Sequence, residues 1–395
     1  MTLYWLLSVP AHGDGHVAWR DVKSRVGDAE VYDFTLPQFK IGTLDTLVRL
    51  SDELAKYDTA YESTTGKFID TLRNLTNTNN SSLASHLLVE DKSVDMYVKS
   101  FSWNSSKYRS DRSLPEIVGQ IADDMGATDA SLKTKLTQYN AIKNSLATVR
   151  RKQTGNLSVK SLSGIVKREH CITDSEYLVT AFVAVPKNQT REWTNGYERL
   201  TDMVVPRSSK QIAEDPEYVL FSVVLFRRVL DEFTTKARDA RFIVRDFTYD
   251  EEAMARDQLM AREIVEQEEE LLDNIAEWIK GSFGSVFAAW VHIKALRVFV
   301  ESILRYGIPP DFLPILVKPS GAKHAAKIKQ SLAEFYSYLE TSTRASDRAK
   351  MAGKSLARKQ QTDEGAFDMH EFSNVLSDYT PFVFFELPWT FLDSD

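Results

Sequence analysis

The sequence predicts an α+β protein built as an elongated dumbbell, with a foot domain from both termini, a neck of long helices and an inserted α+β head. Three observations predict it. Buried-strand runs lie near both ends of the chain, long stretches with apolar residues every three or four positions lie inside them, and a Val/Phe/Tyr-rich middle section changes period. Strands at both ends need partners, and the simplest arrangement places them in one domain. The expected division is a foot from 1–110 and 285–395, a neck from 111–155 and 249–284, and a head from 156–248.

Residues 3–9, LYWLLSV, read as a buried strand because nearly every side chain is apolar. Gly13 and Gly15 read as turn glycines, and with them as neighbours His12 and His16 are expected in a loop. Gly42-Thr43 opens a long helix whose seam is Leu47, Leu50, Leu54, Tyr57 and Tyr61, extended by Phe68, Leu72 and Leu75. The Asn/Thr/Ser cluster at 76–82 breaks it. Ser113-Leu-Pro-Glu116 is a capping-box match with proline in the first turn, where its missing N–H is no loss. The helix it opens runs to about Lys152, with Gly155 as the stop, roughly 60 Å at 1.5 Å per residue.

In the middle, 177–185, 219–226 and 242–247 read as strands, with a helix at 229–240 between the last two. A third long helix is expected from about Tyr249 to Lys280, closing at Gly281. Between Asp250 and Glu277 it carries eleven carboxylates against two arginines, a net −9. A separate core helix is expected at 285–306, apolar on most faces, with Lys294, Arg297, Glu301 and Arg305 as one narrow charged stripe and Gly307 and Pro309 as its end. From 318 to 359 ten basic residues face three acidic ones, a net +7. The part after Thr341 has few large apolar residues and is expected to be mobile. Residues 382–387 are the closing strand signal.

Composition narrows the function classes. The chain has 395 residues and a net charge of −7, which argues against a protein built to grip phosphate backbones. A single cysteine, Cys171, excludes a disulfide framework and a Cys-rich zinc site. The N-terminal apolar run stops at Pro10, too short for a signal-peptide core or a span, and His292, Lys294 and Arg297 interrupt the run at 283–300. A soluble cytosolic protein is expected, with Asn74-Leu75-Thr76 and Asn156-Leu157-Ser158 as chance glycosylation matches.

No phosphate-binding loop, zinc-ligand spacing or nucleophile elbow is present. His170-Cys171 lacks a third orienting group, and His292 reads as a hydrogen-bonded core histidine. No catalytic residue, metal or cofactor is therefore expected. Three polar groups remain as partner-binding candidates: Arg207, Ser208, Ser209 and Lys210 in a loop between strands; Glu266, Glu268, Glu269 and Glu270 on the acidic helix; and Lys323, Lys327 and Lys329 in the basic stretch. The acidic face could be solvated, could dock a basic partner helix, or could dock this chain's own basic segment.

Several segments together resemble one family, the C subunits of the vacuolar-type proton ATPase (V-ATPase). They are FKIGTLDTLVRLSDELAKYD (39–58), SEYLVTAFVAVPK (175–187), MVVPRSS (203–209), FIVRDFTYDEE (242–252), AAWVHIKALRVFVESILRYGIPPDF (288–312) and YTPFVFFELPW (379–389). Departures lie at 11–30, 77–111 and 341–369. The resemblance implies the same head, neck and foot, and a non-catalytic role in the stator of a rotary proton pump. It also implies partners: two E/G heterodimer peripheral stalks, the N-terminal domain of the membrane-sector a subunit, and in some members actin, with no nucleic acid and no membrane insertion. Reversible release from the pump and a place on the cytosolic face of acidic organelles follow from the same likeness. A generic cytosolic tether or actin-binding scaffold is the alternative.

Overall fold

The computed structural model describes residues 2–76, 80–172, 175–339 and 380–389. The expected mobility after Thr341 lies outside the described residues. In chain order the elements are β1 (Thr2–Pro10), α1 (Gly15–Val26), β2 (Glu30–Asp33), α2 (Leu44–Thr76), α3 (Asn80–His86), β3 (Leu88–Val89), β4 (Lys92–Ser93), α4 (Val94–Lys99) and α5 (Leu114–Thr154). They continue with β5 (Leu178–Pro186), α6 (Thr190–Gly196), β6 (Lys210–Glu214), β7 (Tyr218–Phe226), α7 (Leu230–Asp239), β8 (Ile243–Arg245), α8 (Glu251–Tyr306), β9 (Phe312–Lys318), α9 (Ala322–Phe335) and β10 (Val383–Trp389). The fold is α+β, as the sequence predicts. It divides into two compact units, one of residues 1–133 and 276–395 and a second of residues 134–275.

Two expectations are corrected. The loop expected around His12 and His16 ends early, because Asp14 accepts from the His16 and Val17 amides and so opens α1 at Gly15. A well-placed N-cap outweighs the glycines beside it. The two helices expected to part at Gly281 are instead one helix of 56 residues, α8. A glycine costs a helix interior about 1 kcal/mol against alanine, which burial of the flanking turns offsets. Gly284 has its own reason: a Cβ there would lie 2.9 Å from the Leu88 carbonyl oxygen, so only glycine lets β3 pass this close. The capping box at the start of α5 is half formed, with the Ser113 amide donating to Glu116 Oε2 at 3.3 Å.

The first unit is built on an antiparallel sheet ordered β10-β1-β9-β2. The strand from the beginning of the chain pairs along its length with the strand from the end, Thr2 opposite Trp389 through Ser8 opposite Val383. Strand alternation sends Trp5, Leu7 and Val9 to one face, against Val22 and Val26 of α1 and Ile328 and Leu332 of α9. The opposite face meets α8. There Ser302 Oγ donates to Ser8 Oγ at 2.7 Å, and Arg305 donates to the Thr380 and Phe382 carbonyls at 2.8 and 2.6 Å. An 18-residue window of α8 is apolar enough to cross a membrane, yet 78% of it is buried inside the protein, as in a core helix.

The charged stripe of α8 faces protein rather than solvent. Asp58 of α2 is 4% exposed and accepts from Trp290 Nε1 at 2.7 Å, Lys294 Nζ at 2.9 Å and the Arg297 guanidinium. Arg297 also stacks 4.2 Å from the Phe385 ring centroid, and Glu301 accepts from Ser51 of α2. His292 is buried with both ring nitrogens engaged. Nε2 accepts from the Asn104 amide at 3.1 Å, so Nδ1 carries the proton and donates to the Ala288 carbonyl at 2.6 Å. The core-histidine reading stands.

In the second unit the sheet order is β6-β7-β5-β8, and β5 pairs with β7 from Leu178 opposite Phe226 to Pro186 opposite Tyr218. One face packs Val183, Val223 and Leu225 on Trp193, Phe233 and Phe242. The other packs Phe182 and Leu220 on Leu157, Leu162 and Val166 of the segment after α5. Arg245 holds that segment by donating to the Leu157 and Lys160 carbonyls.

Candidate functional site

The loop that precedes β6 is tied down by its own backbone and side chains. Val205 N donates to the Val224 carbonyl at 2.9 Å, and Phe226 N to the Met203 carbonyl at 3.2 Å. Arg207 has φ +56° and Met203 φ +69°, left-handed conformations that a non-glycine residue holds only when its surroundings enforce them. Glu198 supplies part of that enforcement. Its carboxylate accepts from the Arg207 amide at 2.8 Å and from Tyr197 Oη at 2.9 Å, and these two bonds, the first the larger, hold it below the usual carboxylate range.

The four candidates here divide by role. Ser209 Oγ accepts from Trp193 Nε1 at 3.0 Å, and Ser208 Oγ accepts from the Val224 amide at 3.2 Å while donating to the Val205 carbonyl at 2.6 Å. Both hydroxyls are thus used within the unit. Arg207 and Lys210 are exposed. Beside them lies a patch that sequence reasoning missed. Tyr177 is 66% exposed, Met203 43% and Phe226 38%. They are neighbours, since Arg227 N donates to the Tyr177 carbonyl at 2.8 Å and Phe226 N to that of Met203. Arg227 and Arg228 follow, both exposed. The runs containing Tyr177 and Phe226 are apolar but for Thr180 and Ser222, so no regular alternation marks their outward ends.

On the acidic part of α8, Glu266, Glu269 and Glu270 are exposed, while Glu268 is half-buried and accepts from Tyr139 Oη of α5 at 2.9 Å. Burial, then the Glu268 bond, pushes the Tyr139 phenol up. Glu268 shares a cleft of about 460 Å³ with Lys143, Arg150 and Arg151 of α5. Over residues 134–154 α5 carries five basic residues and no acidic one, so the face of the acidic helix that holds Glu268 meets a basic stretch of α5, not the basic segment at 318–359.

In the first unit, Lys323 and Lys327 sit one turn apart on the exposed side of α9. Lys329 lies 5.0 Å from the Phe384 ring centroid and is spent on packing against β10. The three candidate groups therefore lie in two units: 207–210 and 266–270 in one, 323–329 in the other. Among the described residues no group of three or more His, Cys, Asp or Glu is placed to hold a metal.

A family profile described as the V-ATPase C subunit matches residues 4–383. The chain belongs to this family. It is 36% identical to the V-type proton ATPase C subunit of Caenorhabditis elegans over 99% of this chain and 98% of that protein. Against the C subunit of Manduca sexta it is 35% identical over 98% of both. Against the C subunit numbered 1 of Macaca fascicularis it is 36% identical over the whole of both chains. Among solved structures, the cytoplasmic N-terminal domain of an I subunit, a homologue of the V-ATPase a subunit, overlays with a TM-score of 0.30 at 14% identity, covering 85% of this chain and 98% of that one. A likeness at that level carries no argument. Family membership makes the chain an accessory subunit of the pump.

Proposed function

We propose that this chain is a non-catalytic peripheral-stalk subunit of a V-type proton ATPase, bridging two E/G stalks and the N-terminal domain of the membrane-sector a subunit. In this reading it acts from the cytosolic face of acidic organelles and leaves the complex when the soluble and membrane sectors separate. Residues 156–248 form the head, 1–110 and 285–395 the foot, and the long helices between them the neck. The observation that carries the reading is membership of the C-subunit family over the whole chain, joined to an exposed patch of Tyr177, Met203 and Phe226 in the second unit.

Tyr177, Met203 and Phe226 with Arg207, Arg227 and Arg228 suit an amphipathic stalk helix that offers apolar and acidic side chains, since aromatic and arginine residues carry most interface energy. Glu266, Glu269 and Glu270 suit a basic helix in the same way, through long-range attraction that salt weakens. Several moderate contacts joined in one chain hold firmly yet release stepwise. Titration calorimetry of the full chain with a recombinant E/G heterodimer tests this. Tyr177→Ser with Phe226→Ser is expected to weaken binding about 30-fold, the ~2 kcal/mol of a hot-spot pair. Full-strength binding by the double variant would refute the head surface, and no binding by the native chain would refute the stalk role.

A further inference from the structure

We propose that a pocket between α1 and the end of α9 in the first unit is a receptor for one arginine side chain presented by a partner protein. The pocket has a volume of about 170 Å³ and is walled by Phe335, Tyr336, Tyr338, His12, Val17 and Asp21. Drug-sized ligands occupy clefts of about 300 to 1,000 Å³, so this space suits a single long side chain rather than a free metabolite.

Its walls are aromatic. The Phe335 and Tyr336 centroids are 4.9 Å apart, those of Tyr336 and Tyr338 6.2 Å, and those of Tyr338 and His12 6.3 Å. His12 Nε2 and Tyr338 Oη lie 3.2 Å apart and hold the rim together. Ring faces attract cations within about 6 Å of the centroid. This chain already shows that chemistry at one wall, since its own Arg25 guanidinium sits 4.6 Å from the Phe335 centroid.

A negative charge waits in the same pocket. Asp21 is half-buried, and its carboxylate has no hydrogen-bond or ion-pair partner among the described residues. Asp21 and Tyr338 line the same pocket, and burial first, then the Asp21 charge, pushes the Tyr338 phenol up. A half-buried carboxylate without a partner loses part of its hydration and gains nothing in return, so an incoming cation is favoured. The other charges nearby are committed. Asp14, also in the lining, caps α1; Lys23 sits 4.5 Å from the Trp19 centroid; and Arg20 Nε donates to the His16 carbonyl at 3.5 Å.

Arginine fits this combination better than lysine. Its planar guanidinium stacks on a ring while offering a fork of donors to one carboxylate, and it is the more weakly hydrated cation. Tyr338 and Val17, 58% and 42% exposed, form an apolar lip over which the stem of the side chain would lie. The site belongs to the first unit alone and stands whether or not the stalk reading does.

Fluorine NMR of the full chain labelled with 3-fluorotyrosine tests it, with the resonances of Tyr336 and Tyr338 assigned by Tyr336→Phe and Tyr338→Phe. The probe is N-acetyl-arginine methylamide; the citrulline analogue is its neutral isostere and the lysine analogue the second cation. Saturable shifts confined to Tyr336 and Tyr338 are expected, with a dissociation constant of about 1 mM, the affinity of a single small anchor. Citrulline and lysine analogues are each expected to bind at least about tenfold more weakly. Asp21→Asn should weaken the arginine probe about tenfold while the remaining fluorotyrosine signals stay in place, which shows the fold intact. Tyr338→Leu, which keeps the carboxylate, should weaken it as well. No saturable shift, equal shifts by citrulline or lysine, or full affinity in Asp21→Asn would each overturn the proposal.

Discussion

Replacing Asp58 by Asn tests whether the charged stripe of α8 is as dry as its geometry implies. The substitution keeps the size of the side chain and a hydrogen bond to Trp290, and removes only the charge between Lys294 and Arg297. At the 2.9 Å separation of Lys294 and Asp58, an effective dielectric of about 20 gives a gross attraction of about 6 kcal/mol. Not all of it is lost. Arg297 keeps its Phe385 ring and some solvent, with 20% of its side chain exposed. Glu62 lies close enough to feel both Lys294 and Asp58, and burial holds it above the usual carboxylate range, so in the variant it ionises more readily and replaces part of the missing charge. Lys294, 4% exposed and already pushed down by burial, has no route to water. Removing one partner of a buried pair costs about 3–5 kcal/mol, and these reliefs place the expectation at the lower end, about 3 kcal/mol. Six of the seven tryptophans lie in the first unit, so guanidinium unfolding followed by tryptophan fluorescence reports the unit that holds Asp58. A loss below about 1 kcal/mol would mean the triad is hydrated in solution and that α2 is held on α8 by apolar packing alone. Asp58→Leu with Lys294→Met should recover most of the loss, because a buried pair exchanged for apolar groups is often near neutral.

Two further outcomes follow from the helix glycines and the buried histidine. Gly281→Ala, with nothing within 4 Å of the added Cβ, should stabilise by about 0.5–1 kcal/mol, whereas Gly284→Ala meets backbone atoms of Leu88 and Val89 at 2.9 and 3.3 Å and should lose about 1–3 kcal/mol; denaturant midpoints separate the pair. His292 is pushed down from 6.5 to about 4 by burial, so its stability contribution is present above about pH 6.5 and is lost as pH falls toward 4; lowering the pH from 7 to 5 should remove about 2 kcal/mol, and a His292→Gln variant should lose less over that interval.

How legible each element is in the sequence tracks how local its determinants are. The seam of α2 and the cap of α5 are written within a few turns of chain, and both helices follow them. β9 escapes a sequence reading because Pro314 sits inside its apolar run; in the sheet β2 covers only Ile315 to Lys318, so the proline lies past the end of that neighbour. The stripe of Lys294, Arg297 and Glu301 is visible in the sequence, but its meaning depends on Asp58 and Ser51, more than 230 residues away. The aromatic patch at Tyr177 and Phe226 is hidden for the same reason, since only strand pairing brings those two ends together. Asp21 gives no signal at all: a carboxylate among basic residues on an amphipathic helix reads as solvated until the tyrosines after α9 are placed over it.

The pairing of β1 with β10 also orders events at the ribosome. β1 pairs with β9 and β10, which follow it by about 310 and about 380 residues, so β1 must be kept from other partners while the intervening chain is made. Residues 134–275 form a contiguous unit whose sheet pairs only strands from within it, and that unit can fold while the rest is being translated. An apolar strand left waiting this long is a natural substrate for chaperones that hold exposed hydrophobic segments. Removal of β10 should therefore leave an aggregation-prone product rather than a shortened but soluble one.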